Sequence, residues 1–184
     1  LPHEVIGALL DKVKLVSENR IYWGDQSQSN LQKEKISSLL YALSQGDERD
    51  VEKYNEILDK FQSVYANLTL SFKFIKDDSG TPHLVFYQRN TNNKKEKYYD
   101  RNDSAGSGII EMLFFLYSLI GQENTFLFID GPELQLHPHS QRLLYSFIKE
   151  YSIYHQIVII THSIYFFMPD DLENIFIFSF DTET

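Results

Sequence analysis

Two periods of apolar residues alternate along this 184-residue chain, and the change from one to the other divides it. Over the first third, apolar positions recur every three or four residues. Val5, Leu9, Val13 and Val16 follow Pro2 at that spacing and predict a first helix. A second helix is expected from Leu31 to Ser44 with Gly46 as its stop, after a polar linker at Gly24 to Asn30. A third, Asp50 to Tyr65, puts Val51, Tyr54, Leu58 and Phe61 on one stripe. From Asn67 the period falls to two: Leu68, Leu70, Phe72 and Phe74 alternate with polar residues, the pattern of a half-buried strand. Asp77-Asp78-Ser79-Gly80 reads as a turn, Leu84 to Gln88 as a strand, Asn90 to Asn93 as a turn, and Glu96 to Tyr99 as a third strand. Short strands and tight turns predict an antiparallel meander.

After Ser104 the pattern changes again. An apolar helix (Ile109 to Ile120) precedes a strand (Thr125 to Asp130), and an amphipathic helix (Ser140 to Tyr151) precedes another (Ile157 to Thr161). Ile175 to Phe180 reads as a last strand. Strands apolar at every position and separated by helices predict a parallel sheet covered on both faces, so the fold class is α/β.

Composition narrows the function classes. Hydrophobic residues make up 42% and aromatics 15%, as in a folded globular protein. A formal charge of −9 argues against nucleic-acid binding over the whole surface. The local cluster Lys94-Lys95-Glu96-Lys97 with Tyr98 and Tyr99 is a candidate nucleic-acid contact, although a solvated turn and strand edge is the simpler account. Cysteine is absent, which removes disulfides and thiolate metal sites and is compatible with a cytoplasmic location. The stretch Ile109 to Ile120, interrupted by Glu111, is too short to span a bilayer, and Leu1-Pro2-His3-Glu4 does not look like a signal peptide, so no membrane partner is expected. A chain opening on Leu1 is expected to be a fragment or a processed product.

The candidate chemistry lies between Ser104 and Ser163. Phe126-Leu127-Phe128-Ile129-Asp130 ends a buried strand in a carboxylate, at the sheet edge where α/β proteins bind ligands. Gly131-Pro132-Glu133-Leu134-Gln135-Leu136-His137-Pro138 follows, and a second strand closes in Thr161-His162-Ser163. Before the apolar helix stands Ser104-Ala105-Gly106-Ser107-Gly108, small residues at a helix entry, which let a backbone approach a phosphate. Each has a plainer reading: a strand-end turn, a structural histidine, a serine N-cap. His137, His139 and Glu133 lack a third histidine at zinc spacing.

Taken in order, these motifs resemble the ABC-ATPase superfamily, in the branch whose Walker B region reads Asp-Glu-Pro-Glu followed by Leu-His-Pro. That branch holds the SMC-like repair ATPases and the overcoming-lysogenization-defect (OLD) ATPase-nucleases. The resemblance covers Asn67 to Phe180. It implies the mostly parallel sheet of a P-loop NTPase (ABC ATPase) flanked by helices and preceded by an antiparallel meander and a helical segment. Residues 1–66 would be a helical insertion or arm, and 67–184 the C-terminal part of the head. It also implies ATP and Mg²⁺ as cofactors and a second ATPase head as partner, with an effector nuclease, often anti-phage, and nucleic acid as further partners.

By the same resemblance Ser104, Ala105, Gly106 and Ser107 form the nucleotide-binding signature loop, with Asp103 where leucine is common. Asp130 is the metal-holding Walker B aspartate, Leu136-His137-Pro138 contacts the partner head, and His162 is the catalytic switch histidine at the γ-phosphate. Two departures stand out. Gly131 occupies the position of the catalytic glutamate, and loss of a positioned base is worth roughly 10²–10⁴ in rate. Glu133 matches the motif's second glutamate. Natural loss of hydrolysis, an engineered ATP trap and a base located elsewhere all fit Gly131. In addition no Gly-x-x-x-x-Gly-Lys-Ser/Thr run is present, so the N-terminal P-loop lobe is missing from this sequence. A dimerising pseudo-ATPase scaffold is the competing function. An SMC-like repair clamp would need heptads that Pro2 to Tyr65 lacks.

Overall fold

The computed structural model describes residues 13–16, 26–88, 97–99 and 107–177. A three-stranded parallel sheet has the order β1-β5-β6, with β1 at Val13–Val16, β5 at Phe126–Asp130 and β6 at Gln156–Ile160. A three-stranded antiparallel sheet runs β2-β3-β4, with β2 at Leu70–Lys76, β3 at Pro82–Gln88 and β4 at Lys97–Tyr99. The helices are α1 (Gln26–Ser44), α2 (Glu48–Val64), α3 (Ser107–Leu116) and α4 (Pro138–Tyr151). The architecture is mixed α/β.

One helix expected from the sequence is a strand. Val13 to Val16 pairs in parallel with β5, Val13 opposite Phe126 and Val16 opposite Ile129. Two valines three apart fit a helical stripe, yet β-branched residues suit a buried strand as well, and long-range pairing decides between them. Residues 1–12 of that expected helix lie outside the described residues.

α2 starts earlier than its apolar stripe suggests because Asp47 caps it, accepting from the Asp50 N–H at 3.0 Å. Its buried face is Ile57, Phe61 and Val64, with Tyr54 and Leu58 partly covered. The first hairpin turns where expected: Asp77 accepts from the backbone of Ser79 and Thr81, both at 2.9 Å, and Gly80 takes φ 82. Hydrogen bonds from the Ser79 hydroxyl, then from His83, then from the Thr81 N–H hold the Asp77 carboxyl well below its usual range.

A single apolar core joins both sheets. Phe61 of α2 meets Phe72 of β2 edge-to-face at 5.1 Å and Phe86 of β3 at 6.0 Å. Met112, Leu113, Phe115 and Leu116 of α3, Leu127 and Ile129 of β5, and Leu144 of α4 belong to the same cluster. Along β5 and β6, Leu127 and Ile129 are buried while Val158 and Ile160 are exposed, so the described helices cover one face of the parallel sheet. Ile175 to Ile177, the start of an expected last strand, form no regular element and are exposed. The preceding helical turn at Pro169–Asn174 is instead tied to α4, because buried Asp171 accepts from Tyr145, Lys149 and the Met168 N–H. Residues 178–180 lie outside the described residues. No helix among the described residues is long and apolar enough to cross a membrane.

Candidate functional site

The parallel register places Asp130 beside Ile160, so the motif after β5 and the one after β6 emerge at the same sheet edge. Gly131 continues the ladder by one bond, its N–H donating to the Ile160 carbonyl at 2.9 Å, and then turns away at φ 60. Glycine takes that left-handed backbone without a Cβ penalty. Two short turns follow, Leu134 N–H to Gly131 O at 3.1 Å and Leu136 N–H to Glu133 O at 3.2 Å. Gln135 between them sits at φ 61.

Glu133 reaches across to the end of β6. Its Oε2 accepts from the Thr161 hydroxyl at 2.6 Å and its Oε1 from the His162 backbone N–H at 2.9 Å. The Thr161 oxygen accepts in turn from the Ser163 N–H at 3.0 Å. Ser163 donates its hydroxyl to Gln141 of α4 at 2.7 Å, and Gln141 donates back to the carbonyls of Leu136 at 2.8 Å and Glu133 at 3.2 Å. Among the described residues neither the Asp130 carboxylate nor the His162 ring has a hydrogen-bond partner.

His137 acts locally as the N-cap of α4, its Nδ1 accepting from the His139 N–H at 3.3 Å, and Pro138 takes the first turn, where no N–H is needed. Ser107 is exposed as the first residue of α3. The next residue, Gly108, packs so closely on the loop after β5 that a Cβ there would drive into the carbonyl oxygen of Gln135. Tyr65 donates its hydroxyl to the Gly108 carbonyl at 3.3 Å, and burial raises that phenol well above its ordinary value, keeping it a donor. Ser104, Ala105 and Gly106 lie outside the described residues, as do Lys94, Lys95 and Glu96 of the basic cluster.

The register therefore brings Asp130, Gly131 and His162 to one sheet edge, and Gly108, next to Ser107, packs on the loop that follows Gly131. Gln141 and Tyr65 join them without having been singled out from the sequence. Thr161 joins them too, and was visible beside His162 as part of a motif. Gln141 offered no signal, since a glutamine in a helix's first turn looks like any solvated residue. As to a cation, no three His, Asp or Glu residues among those described gather around one point, and Asp130 is one carboxylate that ends at the sheet edge. A half-buried carboxylate at the sheet edge suits Mg²⁺ bound mainly by water and phosphate oxygens.

Asp130 and His162 thus stand at the carboxyl ends of adjoining parallel strands, where α/β domains bind ligands. The chain belongs to the family described as AAA domain, putative AbiEii toxin, Type IV TA system, whose family model matches residues 19–168. It is thus an ATPase-type domain. The uncharacterized protein MJ1542 of Methanocaldococcus jannaschii is 27% identical over 143 residues, 77% of this chain and 17% of that protein. The chain spans less than a fifth of that relative's length. Among solved structures, an SMC head bound to the C-winged-helix domain of ScpA superposes with a TM-score of 0.48 at 16% identity, over 82% of this chain and 49% of that one. A structure from work on ATP-driven dimerization and DNA-stimulated activation of SMC ATPases gives 0.43 at 18%, over 65% and 76%.

Proposed function

We propose that this chain is the nucleotide-closing part of an ATP-binding head. Asp130 would hold Mg²⁺ through oxygen, and His162 would hydrogen-bond the terminal phosphate. Ser104, Ala105, Gly106 and Ser107, at the entry to α3, would meet the phosphate of ATP bound to a second head. The observation that supports this reading is the register of β5 and β6, which sets Asp130 and His162 at one sheet edge, with neither side chain engaged among the described residues. The phosphate cradle comes from another segment or chain, because no Gly-Lys-Ser/Thr loop occurs here. The lobe that carries it would also cover the face of the sheet on which Val158 and Ile160 stand exposed.

Binding and closure, rather than turnover, are the proposed output. Gly131 offers no carboxylate to a water, and its left-handed backbone is one that glycine adopts freely. A dimerising scaffold that never hydrolyses ATP is the second reading, favoured by glycine rather than a carboxylate at position 131. The effector is open in kind: the OLD resemblance suggests a nuclease acting on nucleic acid, and the family description names a toxin.

The test is equilibrium binding of a fluorescent ATP analogue to the full-length protein with Mg²⁺. Asp130→Ala and His162→Ala should each weaken ATP binding by about tenfold or more, the scale of a lost charged hydrogen bond. Equal affinity in all three proteins, or no binding by the unaltered one, would sink the proposal.

A further inference from the structure

We infer that Glu133 is a positioning residue, whose carboxylate clamps the loop after β5 to the end of β6 and so fixes the backbone from which His162 projects. The inference rests on the proposed function for what His162 does, but not for what Glu133 holds.

Ile160 is the last paired residue of β6, so the N–H of His162 has left the ladder and takes its acceptor from a side chain. Glu133 supplies it at 2.9 Å, and with its other oxygen takes the Thr161 hydroxyl at 2.6 Å. Two charge-assisted bonds to consecutive residues fix a peptide more firmly than either alone. The arrangement closes on itself. Thr161 accepts from the Ser163 N–H, Ser163 donates to Gln141, and Gln141 returns to the backbone carbonyl of Glu133 itself. Pulling on His162 therefore strains the same loop that carries Asp130 at its start. The carboxylate faces β6, engaged by protein donors through both oxygens. That geometry assigns it to alignment, and sets it apart from the water-activating role lost at Gly131.

The experiment uses the full-length protein with Glu133→Ala and Glu133→Gln, each alone and with His162→Ala. Hydrogen exchange at the His162 amide reads the clamp without nucleotide. E133A should speed that exchange by about tenfold or more, and E133Q by less, since an amide oxygen still accepts from His162. In parallel, the preference for ATP over ADP should fall about tenfold in E133A, with ADP affinity unchanged and no further loss when E133A is added to H162A. Unchanged exchange at His162 overturns the inference. Faster exchange with ATP preference intact, or losses that multiply with H162A, reduces Glu133 to a loop staple and overturns it too. If E133A does not fold, the E133Q shifts decide in the same directions. Absence of ATP binding in the unaltered protein would remove the proposed function, while exchange at His162 still decides whether Glu133 is the clamp.

Discussion

A methyl group at position 108 would drive into the carbonyl oxygen of Gln135, and Gln135 already sits at φ 61, with little freedom to turn away. Glycine to alanine inside a helix ordinarily stabilises, by roughly 0.5–1 kcal/mol. Here contact with backbone should reverse the sign, and Gly108→Ala is expected to cost about 1–3 kcal/mol, as overpacking does. Denaturant unfolding of the full-length protein reads this directly. A stabilised variant would show that the loop after β5 gives way, and that α3 is not tied to it. Gly131 is constrained differently. A glutamate there would bear a left-handed backbone at about 1–2 kcal/mol, or would turn the peptide and break the Gly131 bond to Ile160. Placing a glutamate there therefore alters the loop as well as the chemistry. The placement of Asp130 and His162 at one sheet edge was legible because each follows an apolar run that reads as a strand. The Glu133 and Gln141 contacts were not, because they join residues far apart in sequence through side chains that any surface loop or helix carries.

Elements whose period and turn chemistry agree were legible: α4, β3, the Asp77 hairpin and the C-terminal end of α1, which itself begins at Gln26, inside the stretch that reads as a polar linker. The misses occur where a local motif or a distant partner outvotes the period. Asn67 to Leu70 alternates like a strand, yet a 3₁₀ turn at Ala66–Leu68 and Thr69 at φ 50 delay β2 until Leu70. Ser71, expected on the solvent face, is buried, with its hydroxyl accepting from Gln62 at 2.9 Å. The hairpin turn itself carries a pH dependence. Asp77 is held below its ordinary value of 3.8 in the folded protein, so the unfolded chain takes up its proton first as pH falls. The stabilisation is fully present above about pH 4 to 5 and is lost as pH falls below the ordinary value. Asp77→Asn should therefore flatten the fall in stability below pH 4, with the difference from the unaltered protein greatest near neutrality. Urea midpoints taken across pH 2.5 to 7, on the order of the unshifted carboxylate range, test this. Parallel curves would show that the carboxylate contributes nothing specific.

At the scale of the whole molecule, one core serves two sheets, and residues on both sides of position 66 build it: Ile36 and Leu40 of α1 share a cluster with Leu127 of β5 and Leu144 of α4. The apolar strands predicted a sheet covered on both faces, and the described residues supply one cover. On the other face Val158 is 40% exposed and Ile160 47%. Strand sequences as apolar as Gln156–Ile160 are ordinarily buried on both sides, as in parallel sheets flanked by helices. The lobe that supplies the phosphate cradle is the proposed cover, which makes Val158 a reporter of it, mid-strand and opposite Phe128. Val158→Asp in the full-length protein would then bury an unpaired carboxylate and cost roughly 3 kcal/mol or more in denaturant unfolding. On a face open to water the same change costs about 1 kcal/mol or less, the span of strand propensity alone. The small value would mean that the second lobe leaves this sheet uncovered, and the phosphate cradle would then have to reach Asp130 and His162 from the sheet edge alone.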